Sequence, residues 1–217
     1  MKRKDLEHAW HLKVLNIFGD DGYLLGDEYS LAKDVNDGVR WVVYITLSEI
    51  SPLYAVSSRI ACQYLNASVV MMDFIRENNV LAESLPMVMF GSALERYTKE
   101  GSVQRISEKS LTDTANELCK RIKEAEKAYL LPRIDQKFVV EEYLKKPSHK
   151  WPTSDLLQCC LTVVSYGLLN NSPSIMKSGM NRVFEILNKP NYSQLHRGFF
   201  ESLNKAIEGK YADHDWF

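Results

Sequence analysis

The pair of residues whose type and spacing come closest to a metal site is His8 and His11. Residues three apart share one face of a helix, and Asp5 lies almost one turn earlier on that face. Two histidines and a carboxylate could hold a divalent metal. The alternative is that both histidines lie on an ordinary solvent-exposed helix face and bind no metal. No third histidine lies close by in the sequence. We therefore predict no metal site and no cofactor, and His8 and His11 are the first candidates to check.

The motifs that cradle phosphate or build a nucleophile are missing from the sequence. It has no GxxxxGK[ST], GxGxxG, GxSxG or HExxH pattern. Ser174–Lys177 and Ser202–Lys205 match SxxK, but the SDN and KTG partners of that motif are absent. No catalytic residue is assigned, so enzymatic activity stays open and its absence is favoured.

The four cysteines are predicted to be reduced core thiols. They are Cys62, Cys119, Cys159 and Cys160, without a CxxC pair or zinc-site spacing. The basic N-terminus is not followed by the apolar run of a signal peptide. The longest uncharged stretch, 156–176, carries too many polar residues for a membrane span. These features predict a cytoplasmic protein that does not bind membranes.

Charge is uneven along the chain although the formal net charge is only −1. Such a balance gives no basic field for nucleic acid. Between residues 19 and 37, however, the only base is Lys33. The acids there are Asp20, Asp21, Asp27, Glu28, Asp34 and Asp37. This acidic hairpin would suit a basic protein partner, but turns and strand ends also favour aspartate. Both interpretations stay open.

The first half of the chain is predicted to form a helix and an antiparallel sheet. Residues 5–18 place Leu6, Trp10, Val14 and Ile17 near one helix face. Three strands follow, over 23–35, 38–49 and 54–65, and the Asn36-Asp37-Gly38 turn joins the first two. Residues 67–79 fit a strand or a short helix, and 86–97 fit an edge strand.

From about residue 107 the apolar period becomes helical. A helix over 110–131 is predicted to end at Pro132, and a second covers 136–146. Three more helices are predicted over 154–169, 174–188 and 193–208. The fold class is therefore α+β, an antiparallel β-meander packed against helices with a helical C-terminal part. Residues 1–146 form the α+β domain, and 147–217 are either a separate helical segment or part of the same domain.

Three short segments carry a family resemblance: "MMDFIREN" (71–78), "LLPRID" (130–135) and "VVEEYL" (139–144). With the preceding helix and meander, they loosely resemble small bacterial α+β families of unassigned function. Some of those families look like immunity proteins of polymorphic toxin systems. The resemblance covers about residues 5–146 and brings no catalytic residues with it.

Three functions are weighed on this basis. The first is a non-catalytic bacterial protein-binding module, of the immunity or accessory kind, whose partner meets the acidic hairpin. The second is an uncharacterised enzyme or small-ligand binder with a pocket between the sheet and the C-terminal helices. Its aromatic lining would be Trp41, Tyr44, Tyr64 and Tyr143, which are equally candidates for the core. The third is a helical adaptor in which residues 151–217 bind a partner helix or form a homodimer, with aromatic anchors. The anchors are Trp151, Tyr192, Phe199, Phe200, Trp216 and Phe217.

Overall fold

The chain folds as an α+β protein in which a sheet is followed by a helical C-terminal part. The computed structural model describes residues 3–26, 30–50, 53–82, 88–97, 104–151, 153, 155–189 and 192–212. Two compact units are discontinuous in sequence. Unit 1 comprises Met1–Cys62 and Gly91–Ile134, and unit 2 comprises Gln63–Phe90 and Asp135–Phe217. The boundary that we predicted at residue 146 lies inside unit 2.

The helices and strands have the following bounds. The strands are β1 (Leu24–Leu25), β2 (Ser30–Asn36), β3 (Val39–Ile50), β4 (Leu53–Tyr64), β5 (Met89–Ala93) and β6 (Gln104–Ile106). The α-helices are α1 (Arg3–Phe18), α2 (Leu65–Glu77), α3 (Leu111–Ala125), α4 (Gln136–Lys145), α5 (Leu156–Leu169), α6 (Pro173–Leu187) and α7 (Gln194–Lys210).

The sheet has the order β1-β2-β3-β4-β5, and β6 pairs antiparallel with β4. The predicted meander of the three long strands is present. Asn36 pairs with Val39 across the turn, and the Asn36 Oδ1 accepts a hydrogen bond from the Gly38 N–H at 2.9 Å. Along β3, Trp41, Val42 and Val43 are buried in succession, so both faces of the strand are covered there, whereas from Tyr44 to Ser48 buried residues alternate with half-buried or exposed ones.

The strand predicted over 23–35 is wrong as a single element. The chain forms β1, turns after Gly26, and returns as β2, so that Leu24 lies opposite Ala32 and Leu25 opposite Leu31. The Gly26 N–H donates to the Ser30 carbonyl at 2.9 Å. Period-two alternation continued through this segment, so the pattern alone could not show that the chain reverses.

The two ambiguous segments are now assigned. Residues of the 67–79 segment belong to helix α2, with Met71, Phe74 and Ile75 buried on one face. The 86–97 segment contains β5 and a 3₁₀ helix from Leu94 to Tyr97. Pro86, the expected strand start, lies outside the described residues.

Unit 1 is built on the predicted helical stripes. In α1, Leu6, Trp10 and Val14 are buried, and the last buried position is Phe18 rather than Ile17. Helix α1 packs against α3, whose buried residues recur at the predicted spacing of three or four. These residues are Ala115, Leu118, Ile122 and Ala125.

The chain does not break sharply before Pro132. Helix α3 widens into a π-helix over Glu126–Leu130, tightens into a 3₁₀ turn over Leu131–Arg133, and α4 begins at Gln136. Proline lacks an N–H, and its ring clashes with the carbonyl four residues earlier in an α-helix. The Leu131 N–H instead bonds to the Glu126 carbonyl. The predicted N-cap is confirmed, because the Asp135 side chain accepts from the Lys137 N–H.

Unit 2 is organised around α5. Ten of its 14 residues are buried, and it packs against α2, α4 and α6. Two glycines permit the close approach of α5 and α6. A Cβ at Gly179 would lie 2.8 Å from the Val164 Cγ2 and 3.3 Å from the Val164 N. A Cβ at Gly167 would lie 3.0 Å from the Met176 N.

Candidate functional site

A groove of about 740 Å³ lies in unit 2. Its walls come from the first turns of α5 and α7 and from the segment that follows α2. The Leu81 N–H donates to the Ser202 Oγ at 3.1 Å, which fixes this segment on α7. The apolar lining residues are Leu81, Ala82, Leu156, Leu157, Leu161, Leu195, Phe199 and Phe200.

Two leucines at this groove are unusually exposed for their type. Leu81 is 69% exposed and Leu195 is 56% exposed. The α7 wall also carries Gly198, where an added Cβ would meet no atom within 4 Å. The groove therefore has free volume beside α7 and an apolar rim that meets water.

Two polar side chains lie at the start of α5. Asp155 caps α5, and one of its carboxylate oxygens accepts from the Gln158 N–H at 3.1 Å. The Gln158 Oε1 is buried and has no hydrogen-bond partner among the described residues. Neither lysine nor arginine is found among the described lining residues.

An aromatic pair completes the groove. The rings of Tyr192 and His196 lie 6.2 Å apart in an edge-on arrangement. Ser193 caps α7 through its Oγ, which lies 2.7 Å from the His196 Nδ1. Burial, and then the negative charge of Asp155, raises the pKa of Tyr192, so its hydroxyl stays protonated at neutral pH.

The acids of the predicted hairpin are partly compensated. The Lys123 Nζ lies 2.7 Å from the Asp21 Oδ2, and the Arg40 Nε lies 2.6 Å from the Asp34 Oδ1. The hydrogen bond from Arg40 lowers the pKa of Asp34. Asp20 and Asp37 are exposed and form no ion pair within the described part of the chain. Asp27 and Glu28 lie outside the described residues.

The turn that carries Asp20 and Asp21, called the acidic turn below, is followed by an exposed apolar edge strand that the sequence analysis did not predict. In β1, Leu24 is 72% exposed and Leu25 is 57% exposed. Only β2 pairs with β1 among the described strands. A Cβ added at Gly22, which closes the turn after Asp20 and Asp21, would lie 3.9 Å from the Lys33 side chain of β2. Apolar and acidic groups thus share this end of the sheet.

The aromatic residues proposed for a pocket are mostly core residues. Trp41, Tyr64 and Tyr143 are buried, and Tyr44 is half-buried. In unit 2 the Tyr143 ring packs at 4.8 Å from Trp151 and at 5.4 Å from Phe90. The Trp151 Nε1 donates to the Tyr143 carbonyl at 3.1 Å. None of these four lines the groove described above.

The histidine pair does not converge on a metal site. His8 is exposed, whereas His11 is buried with its Nδ1 2.6 Å from the Glu7 carbonyl. No group of three His, Cys, Asp or Glu side chains that could hold a metal occurs in the described ranges. The cysteines are free and buried. Burial raises the pKa of Cys62, Cys119 and Cys159 to about 12, so these thiols are poor nucleophiles.

The sequence analysis also did not predict a partly buried hydrogen bond between a tyrosine and a carboxylate. The Tyr23 hydroxyl donates to the Glu126 Oε1 at 2.6 Å, and burial raises the pKa of Tyr23. Glu126 begins the π-helix, and 103 residues separate it from Tyr23. No local sequence pattern could have predicted that these two residues form a hydrogen bond. The contact ties the acidic turn to the end of α3.

Comparison with known proteins found no relative of this chain. The chain matches no protein-family model, and neither a curated protein nor a solved structure is detectably similar to it. Among the helices of the described segments, none combines the length and the apolar character that crossing a membrane would require.

Proposed function

We propose that the protein is a non-catalytic bacterial binding module, of the immunity or accessory kind, and that it binds another protein with a basic surface. The observation that carries this proposal is the exposed edge strand β1 beside the acidic turn. Leu24 and Leu25 present apolar surface, and Asp20 lies close by in the sequence with its charge uncompensated in the described structure.

An exposed apolar edge is a feature that proteins usually protect. Edge strands carry unpaired backbone groups and are commonly very short, covered, bulged or lined with lysine. β1 is short, with two residues, but both are exposed leucines and not charged side chains. Binding interfaces commonly combine an apolar anchor with a charged rim that steers the partner and sets its orientation. Leu24 and Leu25 would supply the anchor, and Asp20 and Asp37 the rim.

Two acids of the predicted binding surface already form ion pairs within the chain, so fewer positions are suitable for a test of partner binding. Asp21 and Asp34 already pair with Lys123 and Arg40, so replacing them would also disturb unit 1. Asp20 and Asp37 have no such partner in the described structure, and their charges can be reversed without breaking an ion pair there. They are therefore the informative positions.

The test compares three variants as bait in a pull-down from a bacterial lysate. D20K/D37K reverses the rim, and L24D/L25D removes the anchor. E77K/E201K is the matched control, because it adds the same charge at two exposed positions of unit 2. We expect wild type and the control to capture the same basic protein, and both test variants to lose most of it. Raising the salt concentration should weaken capture by wild type.

Equal capture by all four baits would overturn the assignment of this surface. Loss of capture by the control as well would show that net charge, and not the edge of the sheet, controls binding. Thermal melting of each variant separates lost binding from lost folding.

A further inference from the structure

We propose that the groove of unit 2 is a binding site for a small apolar molecule that carries a protonated amine. This site is separate from the protein-binding edge of unit 1, and the proposal does not depend on that function. The groove combines an apolar lining, a carboxylate that makes no ion pair within the described residues, and two aromatic rings.

The size and lining of the groove fit a small ligand. Ligand pockets commonly enclose about 300–1,000 Å³ and are lined mainly by apolar side chains with a few polar groups. The groove measures about 740 Å³, and most of its lining residues are leucine, alanine or phenylalanine. Leu81 and Leu195 are exposed, so an apolar occupant would remove both from water.

The charge of the groove favours a cation. The Asp155 carboxylate caps α5, and the partial positive charge of the helix N-terminus offsets part of its negative potential. The carboxylate accepts one hydrogen bond, from the Gln158 N–H, and makes no ion pair within the described residues. Neither lysine nor arginine lines the groove there. A carboxylate or phosphate ligand would therefore meet repulsion, and an ammonium group would meet attraction.

The aromatic wall of the groove points to the same chemistry. The Tyr192 ring lines this groove, and tyrosine faces attract cations within about 6 Å of the ring centroid. An alcohol or a hydrocarbon has no positive charge, so neither the carboxylate nor the aromatic face would attract it in this way.

The test uses three probes of similar shape on the full chain: phenylbutylamine, phenylbutanol and phenylbutyrate. Binding is measured by titration calorimetry, and the site is located by NMR chemical-shift changes. We expect the amine to bind about tenfold more tightly than the alcohol, as one charge-assisted hydrogen bond would give. The acid should bind most weakly of the three.

Asp155→Asn isolates the charge. Asparagine caps helices as well as aspartate does, so α5 keeps its cap while the groove loses its carboxylate. The variant should lose most of the preference for the amine and leave the affinity for the alcohol unchanged. Retention of the tenfold preference in this variant would overturn the role of Asp155.

Gly198→Leu tests whether the probes occupy the groove. Its new side chain would fill part of the groove, and a Cβ at this position meets no other atom within 4 Å. Gly209→Leu is its control on the same helix, since a Cβ there also lies in open space and Gly209 does not line the groove. We expect the first variant to weaken every probe that binds and the second to weaken none.

Two outcomes would overturn the proposal as a whole. The first is equal affinity for the amine, the alcohol and the acid in wild type. The second is a dimer of this chain, seen by light scattering, that Gly198→Leu dissociates and Gly209→Leu does not, because a second copy would then cover the groove. Neither result bears on the pull-down with the unit 1 variants, so failure of one proposal leaves the other standing.

Discussion

At the scale of single residues, burial decides how the ionisable groups behave. Burial raises the pKa of three thiols to about 12, and it raises the pKa of Cys160 well above its usual value. The same effect keeps the Tyr23 hydroxyl protonated beside Glu126. The cysteines therefore act as small apolar side chains in the native state.

This burial predicts a loss of stability at alkaline pH. An unfolded thiol has a pKa of about 8.5, whereas the native thiols keep their protons until about pH 12. Between these values the unfolded state binds fewer protons, so the free energy of unfolding falls as pH rises. Each thiol contributes about 1.4 kcal/mol per pH unit to that fall.

Cys119→Ala tests this effect. The variant removes one titrating thiol from helix α3, so its free energy of unfolding should fall less steeply above pH 9 than that of wild type. Urea unfolding under reducing conditions at several pH values measures the slope. Identical slopes for both proteins from pH 9 to pH 11 would show that Cys119 ionises in the native state.

At the scale of elements, the sequence predicted those features that depend on local period. The stripes of α1 and α3, the Asn36–Gly38 hairpin turn and the Asp135 cap follow from spacing and capping rules, and the structure confirms them. The reversal between β1 and β2 was not predicted, because alternation continues across it. The π-helix was not predicted either, because Pro132 signals an end of helix but not how the helix ends.

The close packing of α5 and α6 gives a prediction at this scale. Gly179→Ala would place its Cβ 2.8 Å from the Val164 Cγ2 and 3.3 Å from the Val164 N, so the two helices must move apart. We expect the variant to be destabilised by about 1–3 kcal/mol, as overpacked cores are.

Gly198→Ala is the control for that change. It lies in α7 with open space at its Cβ, so it should instead gain up to about 1 kcal/mol from helix propensity. Chemical denaturation of both variants gives the comparison. A stabilised Gly179→Ala would mean that α5 and α6 are farther apart than described.

At the scale of the whole molecule, the candidate sites depend on contacts between distant parts of the chain. Leu81 and Ser202 meet although 121 residues separate their positions, and Lys123 pairs with Asp21. Sequence reasoning did name Tyr192, Phe199 and Phe200 as candidate interface aromatics, although Phe200 is buried. It missed Leu81, Asp155 and Gln158, because their roles arise only when the first turns of α5 and α7 line one groove.

The discontinuous units predict that the chain cannot be cut at residue 146. Within unit 2, α2 and α4 pack against α5, which such a cut removes. A fragment of residues 1–146 should therefore expose the buried faces of both helices, bind hydrophobic dyes and elute as aggregates in size-exclusion chromatography. A monomeric fragment with a cooperative thermal transition would contradict this view, and the full chain is the control.

The π-helix at Glu126–Leu130 has a consequence for the history of the sequence. A π-helical turn holds about one residue more than the α-helical turn it replaces, so it can arise when a single residue is inserted into a helix. Such an insertion leaves the flanking helix intact and absorbs the change within a few residues. Relatives of this chain, once found, should align with a one-residue gap between 126 and 130. Those that lack the extra residue should have a regular α-helix there and no carboxylate facing Tyr23.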